Sequence, residues 1–209
     1  MECSASFSLD NIDIYGTFRK DQFMSGSTST SQALLDGAMK QFARHGFAKT
    51  SMSDIAKASG VSRTSLYNTF PTKDDVFRAL SGRINERVYA AVVEAYGKPG
   101  PWDERLLRII NARVSWVYEL LHASEYGREL INEKNRICGG DVLAANDRFE
   151  SLVAKVLTKA LGEPKKGAAL ARILIEAVNG ILEKAETRSA AEQNVALLVR
   201  VFCRGAAKG

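Results

Sequence analysis

The sequence predicts an all-α fold, in which a compact unit of short helices precedes a larger helical body. Three observations carry this expectation. From Ser31 onward apolar residues recur at i and i+4 nearly to the end of the chain. The only four prolines, Pro71, Pro99, Pro101 and Pro164, each fall where one helix can end and another begin. No stretch alternates in the strand manner, and no repeat recurs at solenoid periods.

The elements follow in order. Residues 1–27 read as a flexible leader. Residues 1–23 hold no sustained helical period, and Ser25–Ser31 is a Ser/Thr/Gly tract. Met24, just before that tract, is a candidate start of the natural product, and the preceding residues are otherwise a mobile arm. The first helix carries the stripe Leu34, Leu35, Ala38, Met39, Phe42 and Ala43 and stops at Gly46, where glycine tolerates a positive φ. Ser51 with Asp54 three residues on is a capping-box signal for a second helix with Met52, Ile55 and Ala56 on its core side. Gly60 permits a tight turn. Ser62 then caps a short third helix, Arg63–Thr69, packed through Val61, Leu66 and Phe70. Thr72 and Asp75 form the box of a long fourth helix.

Two short helices joined by a glycine turn, the second polar and basic at its start, make a helix-turn-helix over residues 51–70. Its second helix offers Arg63, Thr64, Ser65 and Asn68, hydrogen-bonding side chains suited to base edges in a major groove. Charge points the same way. The 209-residue chain carries 29 Lys and Arg against 24 Asp and Glu, a net +5, and residues 31–80 contribute +3 of it.

At these positions the chain resembles the TetR (tetracycline-repressor-like) family. The resemblance rests on Ala38, Phe42, Gly46-Phe47, Thr50, Ile55-Ala56, Gly60-Val61-Ser62, Leu66-Tyr67, Phe70 and Lys73 and covers about residues 28–88. A mild departure is Val76-Phe77, where the family usually shows leucine and a hydrophobic residue. The resemblance implies a three-helix helix-turn-helix DNA-binding domain over 28–88 plus a helical ligand-binding and dimerisation domain over 89–209. It implies DNA-backbone contacts for Tyr67, Lys73, Thr50 and Ser51. Lys73 also stands at a helix N-terminus, where an anion is favoured. Arg63, Thr64 and Ser65 would then specify sequence. It further implies a homodimer on a palindromic double-stranded operator, with a small-molecule effector releasing a repressor. The alternative is an effector-independent DNA-binding protein, or an activator working through a protein partner.

In the body, residues 103–122 are apolar on more than one face, with Leu106, Ile110, Val114, Val117 and Leu121 widened by Ile109, Trp116 and Leu120. Such a helix is central. By the resemblance its polar and aromatic groups are candidate effector contacts: Arg113, Trp116, Tyr118, His122, the following Tyr126, and Asn179 from a later helix. Tyr118 and Trp116 can equally be plain core. Glu129, Glu133 and Lys134 read as a solvated helix face, and Cys138 before Gly139-Gly140 as a loop thiol. Two final helices, near 167–186 and 189–204, carry the stripes Ala169, Ile173, Ala177, Ile181 and Val195, Leu198, Val199, Phe202. By resemblance they pack against their mates as a four-helix bundle.

Several classes are excluded or disfavoured. Cys3, Cys138 and Cys203 are odd in number and widely spaced, against a disulfide framework or zinc site and in keeping with a reducing compartment. His45, His122 and the cysteines are too scattered for a metal, and no cofactor is expected. There is no nucleophile elbow, phosphate loop or HExxH, so no enzyme is expected. A signal peptide and a membrane-length apolar run are both lacking, so the expected location is the cytoplasm, with no membrane partner.

Overall fold

The structure, a computed structural model, describes residues 30–122 and 124–206. The expected leader and Cys3 lie outside the described residues. Among the described residues there are eight helices and no strand: α1 (Thr30–Lys49), α2 (Met52–Ser59), α3 (Arg63–Thr69), α4 (Lys73–Gly97), α5 (Trp102–His122), α6 (Gly127–Leu161), α7 (Pro164–Lys184) and α8 (Arg188–Ala206). None of them is long and apolar enough to cross a membrane.

The helix ends are set by the local chemistry read from the sequence. The Ser51 hydroxyl accepts from the Asp54 N–H, while the Asp54 carboxylate accepts from the Ser51 N–H at 2.9 Å, a complete capping box. Ser62 accepts from the Ser65 N–H, and Thr72 with Asp75 repeats the box at the head of α4. Gly60 adopts φ 67, ψ 19, the left-handed conformation that lets the chain turn from α2 into α3. Gly46 breaks α1 at φ 76, ψ 168, an extended positive-φ conformation open in practice to glycine alone.

Two apolar clusters organise the chain. The head cluster gathers Leu34, Ala38, Phe42, Phe47, Ile55, Leu66, Val76, Phe77 and Leu80. Phe42, Phe47 and Phe77 meet with ring centroids 5.1–5.5 Å apart. The body cluster is built from Val92 and Ala95 of α4, Leu106, Ile109, Ile110, Val114 and Tyr118 of α5, and the inner faces of α6, α7 and α8. One helix, α4, therefore serves both: its first turns are head and its last turns are body.

Helix α6 does the same in reverse, and here the structure corrects the sequence reading. Residues 138–140 are not a loop. Cys138 is buried at a kink inside α6, with φ −118, ψ 23, and helix continues through Gly139-Gly140. A glycine pair weakens a helix enough to bend it without ending it. Before the kink, Leu130 and Cys138 join the head cluster; after it, Phe149, Leu152, Val153, Val156 and Leu157 join the body.

Of the last two helices, only α8 departs from its expected stripe. On α7 the inward side chains are Ala171, Leu174, Val178 and Leu182, and Ala169 and Ile173 of the expected stripe face away from the body. On α8, Val195 and Val199 are buried within their own chain, whereas Leu197 and Val201 face out, 57% and 62% exposed. The inner face of α7 is set by its packing on α6 and α5, and that of α8 by its packing on α5 and α7.

Candidate nucleic-acid interface and interior cavity

Leu66 is fully buried against the head and pins α3 by its inner side. That leaves Arg63, Thr64, Tyr67 and Asn68, spaced i, i+1, i+4 and i+5, exposed together on the outer face. Tyr67 is 51% exposed, unusual for a large aromatic and suited to an amphipathic contact. The Arg63 guanidinium reaches the Ser53 hydroxyl on α2, which spans the turn and holds the arginine along the shared surface of the two helices. Ser65 is half-buried and occupied in the cap, its hydroxyl 3.0 Å from that of Ser62. Ser51 is exposed at the start of α2. Hydrogen bonds from its hydroxyl and N–H hold the Asp54 carboxyl below the ordinary carboxylate range.

Two expected backbone contacts are otherwise engaged. The Thr50 side chain is buried, and its hydroxyl donates to the Gly46 carbonyl at 2.7 Å. The Lys73 ammonium donates to the carbonyls of Phe47 at 2.7 Å, Thr50 at 2.9 Å and Ala48 at 3.4 Å, and lies 4.3 Å from the Phe47 ring centroid. Its three protons thus close the carbonyl end of α1 instead of facing outward. The reason is geometric: α4 starts directly beneath that end, so the long side chain finds carbonyls before it reaches solvent.

Behind the head lies a small cavity among α4, α5 and α6, of about 80 Å³ and partly open to solvent. Arg113, Trp116, Val117 and Leu120 come to it from α5, and Phe149 from α6. A separate, much narrower cleft between α5 and α7 is lined by Arg113 and Asn179. Of the expected effector contacts, the structure therefore brings Arg113 and Trp116 to the cavity, leaves Asn179 on the separate cleft, and places the other three elsewhere. Tyr118 is buried on the far side of α5, its hydroxyl donating to the Glu186 carbonyl at 3.0 Å. His122 stacks on Tyr118 with centroids 4.0 Å apart and borders neither cavity. Tyr126 packs against the head beside Gly46. The period of α5 is 3.6, so residues 116 and 118 stand some 200° apart and cannot line one wall.

Three residues read as a solvated face prove to be connected. Glu129 accepts from the Ala48 N–H at 3.0 Å, tying α6 to the end of α1. Glu133 pairs with Arg136, which also approaches Asp74 of the head at 3.7 Å. Lys134 turns into the cavity, where it donates to Asn85 at 3.0 Å. Its position carried a signal: Leu130, Lys134 and Cys138 are spaced i, i+4, i+8, so the lysine interrupts a buried stripe.

An all-helical chain with a short exposed helix on a capped glycine turn, carried on a body with a small cavity among its helices, defines a helix-turn-helix head joined to a helical body. Residues 34–80 match the family model described as bacterial regulatory proteins, tetR family. The head belongs to that family. The chain is 34% identical over 85 residues to the HTH-type transcriptional repressor LfrR of Mycolicibacterium smegmatis, covering 41% of this chain and 44% of that one. It is 43% identical over 63 residues to the HTH-type transcriptional repressor ComR of Escherichia coli, covering 30% of each. The match thus spans less than half the length of these relatives. A solved TetR-like transcriptional regulator from Rhodococcus sp. RHA1 shares the fold over 86% of this chain and 98% of its own, at 25% identity and TM-score 0.64.

Proposed function

We propose that the protein is a DNA-binding transcriptional regulator, a repressor released from a palindromic operator when a small molecule fills the cavity of its body. The observation that carries this reading is the outer face of α3, where Arg63, Thr64, Tyr67 and Asn68 are exposed side by side while Leu66 anchors the helix. Arg63, Thr64 and Asn68 have the donors and acceptors to read base edges, and Tyr67 and Ser51 the hydroxyls to hold phosphates. Thr50 and Lys73 act one step back, by fixing the end of α1 and thereby the start of α2.

A palindromic site calls for two heads, and the outward faces of α7 and α8 support a two-fold homodimer. Ile173 on α7 is 56% exposed, and Leu197 and Val201 on α8 are 57% and 62% exposed, large apolar side chains out of keeping with a solvated face. The domain division we propose by chain order is a leader over 1–27, a head over 28–88 and a body over 89–209, of which Leu130 and Cys138 pack on the head. A regulator of this kind works on cytoplasmic DNA, and no catalytic step is part of the reading.

The test is binding of the purified chain to the DNA upstream of its own gene, read by fluorescence anisotropy at fixed salt. The expected result is saturable, salt-dependent binding that weakens about tenfold or more in Tyr67→Ala, since a hydrogen bond to a charged group is worth about 1.5–3 kcal/mol. Equal binding by the variant, or binding that ignores sequence, would remove α3 from the interface.

A further inference from the structure

Three cations line the cavity, Arg113, Lys134 and Arg148, and of these Arg148 is paired with a carboxylate, that of Glu86. Among its lining residues there is no aspartate or glutamate. Arg113 donates through Nη2 to the Asn146 amide oxygen at 2.8 Å and lies 4.5 Å above the Phe149 ring, while its Nη1 is buried without any partner. Among the described residues the Lys134 ammonium donates to the amide oxygen of Asn85 alone. Burial lowers the basicity of both, and the neighbouring Arg113 charge lowers that of Lys134 further. Arg148 at the rim differs: it pairs with Glu86 and covers the Tyr89 ring at 3.7 Å. Amide oxygens are neutral, so they satisfy hydrogen bonds without compensating charge. Two like charges placed this way are an unfavourable arrangement that an entering anion relieves. The rest of the lining, with Trp116, Val117, Leu120 and Val92, is apolar.

We propose that the ligand of this cavity is an organic anion with an apolar body, its carboxylate, sulfate or phosphate group bound between Arg113 and Lys134 and its body laid along Trp116 and Leu120. This rests on the reading of the body as an effector domain and gives that effector its chemical class. The charge selection follows from the geometry: a cationic molecule of the same size meets two half-buried cations without a carboxylate partner, and the acceptors on the wall, the amides of Asn85 and Asn146 and the Tyr89 hydroxyl, already face cations. The free Nη1 of Arg113 supplies the donor that makes an anion bidentate with the guanidinium.

The experiment uses the full chain and four probes of one chain length, each below its micellar concentration: decanoate, decyl sulfate, decanol and decyltrimethylammonium. Calorimetry gives their affinities, and the operator complex is followed by anisotropy in the same samples. The equal apolar tails cancel, so differences report the head group. The anions are expected to bind once per protomer, about ten- to hundredfold more tightly than the alcohol, the worth of one charge-assisted hydrogen bond. The ammonium should bind more weakly still. Arg113→Met and Lys134→Met, which keep length and apolar bulk, should each remove most of that preference. Ammonium or alcohol binding as tightly as the anions to the unmodified chain would overturn the proposal, without recourse to any variant. So would an anion preference that survives in the double variant. Anion binding with the expected preference but no change in operator affinity upholds the ligand class and overturns release. An operator-releasing cation that is indifferent to Arg113→Met upholds release and overturns the class.

Discussion

Replacing Lys73 by methionine separates two roles that one lysine at this position can play. The substitution keeps the stem and its packing and removes the ammonium. Three carbonyls, those of Phe47, Ala48 and Thr50, lose a donor at 2.7–3.4 Å, and the Phe47 ring loses a cation at 4.3 Å. The three bonds share one charge and do not sum; together they are worth about 1.5–3 kcal/mol, as for a hydrogen bond to a charged group. The cation over the ring adds about 0.5–1 kcal/mol, and the favourable charge at a helix C-terminus about 0.3–1 kcal/mol. Water reaching the freed carbonyls recovers part of the loss, which leaves a net destabilisation of about 2–3 kcal/mol. Urea unfolding followed by far-ultraviolet circular dichroism, at one protomer concentration, reads that figure. Operator affinity measured across a salt series reads the alternative, because each phosphate contact contributes about 0.9 to the slope of log K against log salt. The capping role predicts lower stability with an unchanged slope. Unchanged stability with a slope reduced by about 0.9 or more would refute it and return Lys73 to the phosphates.

Other expectations follow from single contacts. Glu129→Ala removes the acceptor for the Ala48 N–H, so amide exchange at Ala48 should accelerate about tenfold or more by nuclear magnetic resonance, while the Val153 amide in the body stays protected. Ile173→Asp places an uncompensated charge on the outer face of α7. In the proposed dimer it should weaken association about a hundredfold or more by analytical ultracentrifugation, since such a charge costs about 3–5 kcal/mol. Burial first, and the Asp103 carboxylate second, push the Cys203 thiol from 9.0 up to about 11. The folded chain holds that proton when the unfolded chain has released it, so this contribution to stability is full below pH 9 and lost as pH rises toward 11. Alkylation of native Cys203 at pH 8.5 should accordingly lag far behind that of the urea-unfolded chain.

The parts of the fold legible in the sequence were those set by neighbours a few residues apart. Ser51 with Asp54, Ser62, and Thr72 with Asp75 cap the helices they were expected to cap. Gly46 and Gly60 break the chain where expected, and α3 has the expected bounds. What was not legible depended on which face meets which. Helix α5 is apolar around most of its girth, so its pattern could not divide Trp116, on the cavity, from Tyr118, in the core. Helix α8 carries apolar residues on both sides, and only the position of α5 and α7 decides that Val195 turns in and Leu197 out. Lys134 was passed over because charge was weighed before register. Lys73 was read from its place at a helix start, whereas its reach decides its partners.

The kink at Cys138 bears on how the molecule can be taken apart. By chain order the head ends within α4, yet its packing is completed some forty residues later, when Leu130 and Cys138 seal the underside and Glu129 fastens the end of α1. A chimaera that grafts a foreign reading head at residue 88 would leave those three side chains facing a surface they were not shaped for. A clean exchange has to move two separate stretches together, the chain through the first half of α4 and residues 127–138, with the joins at residue 88, in the α5–α6 turn and at Gly139.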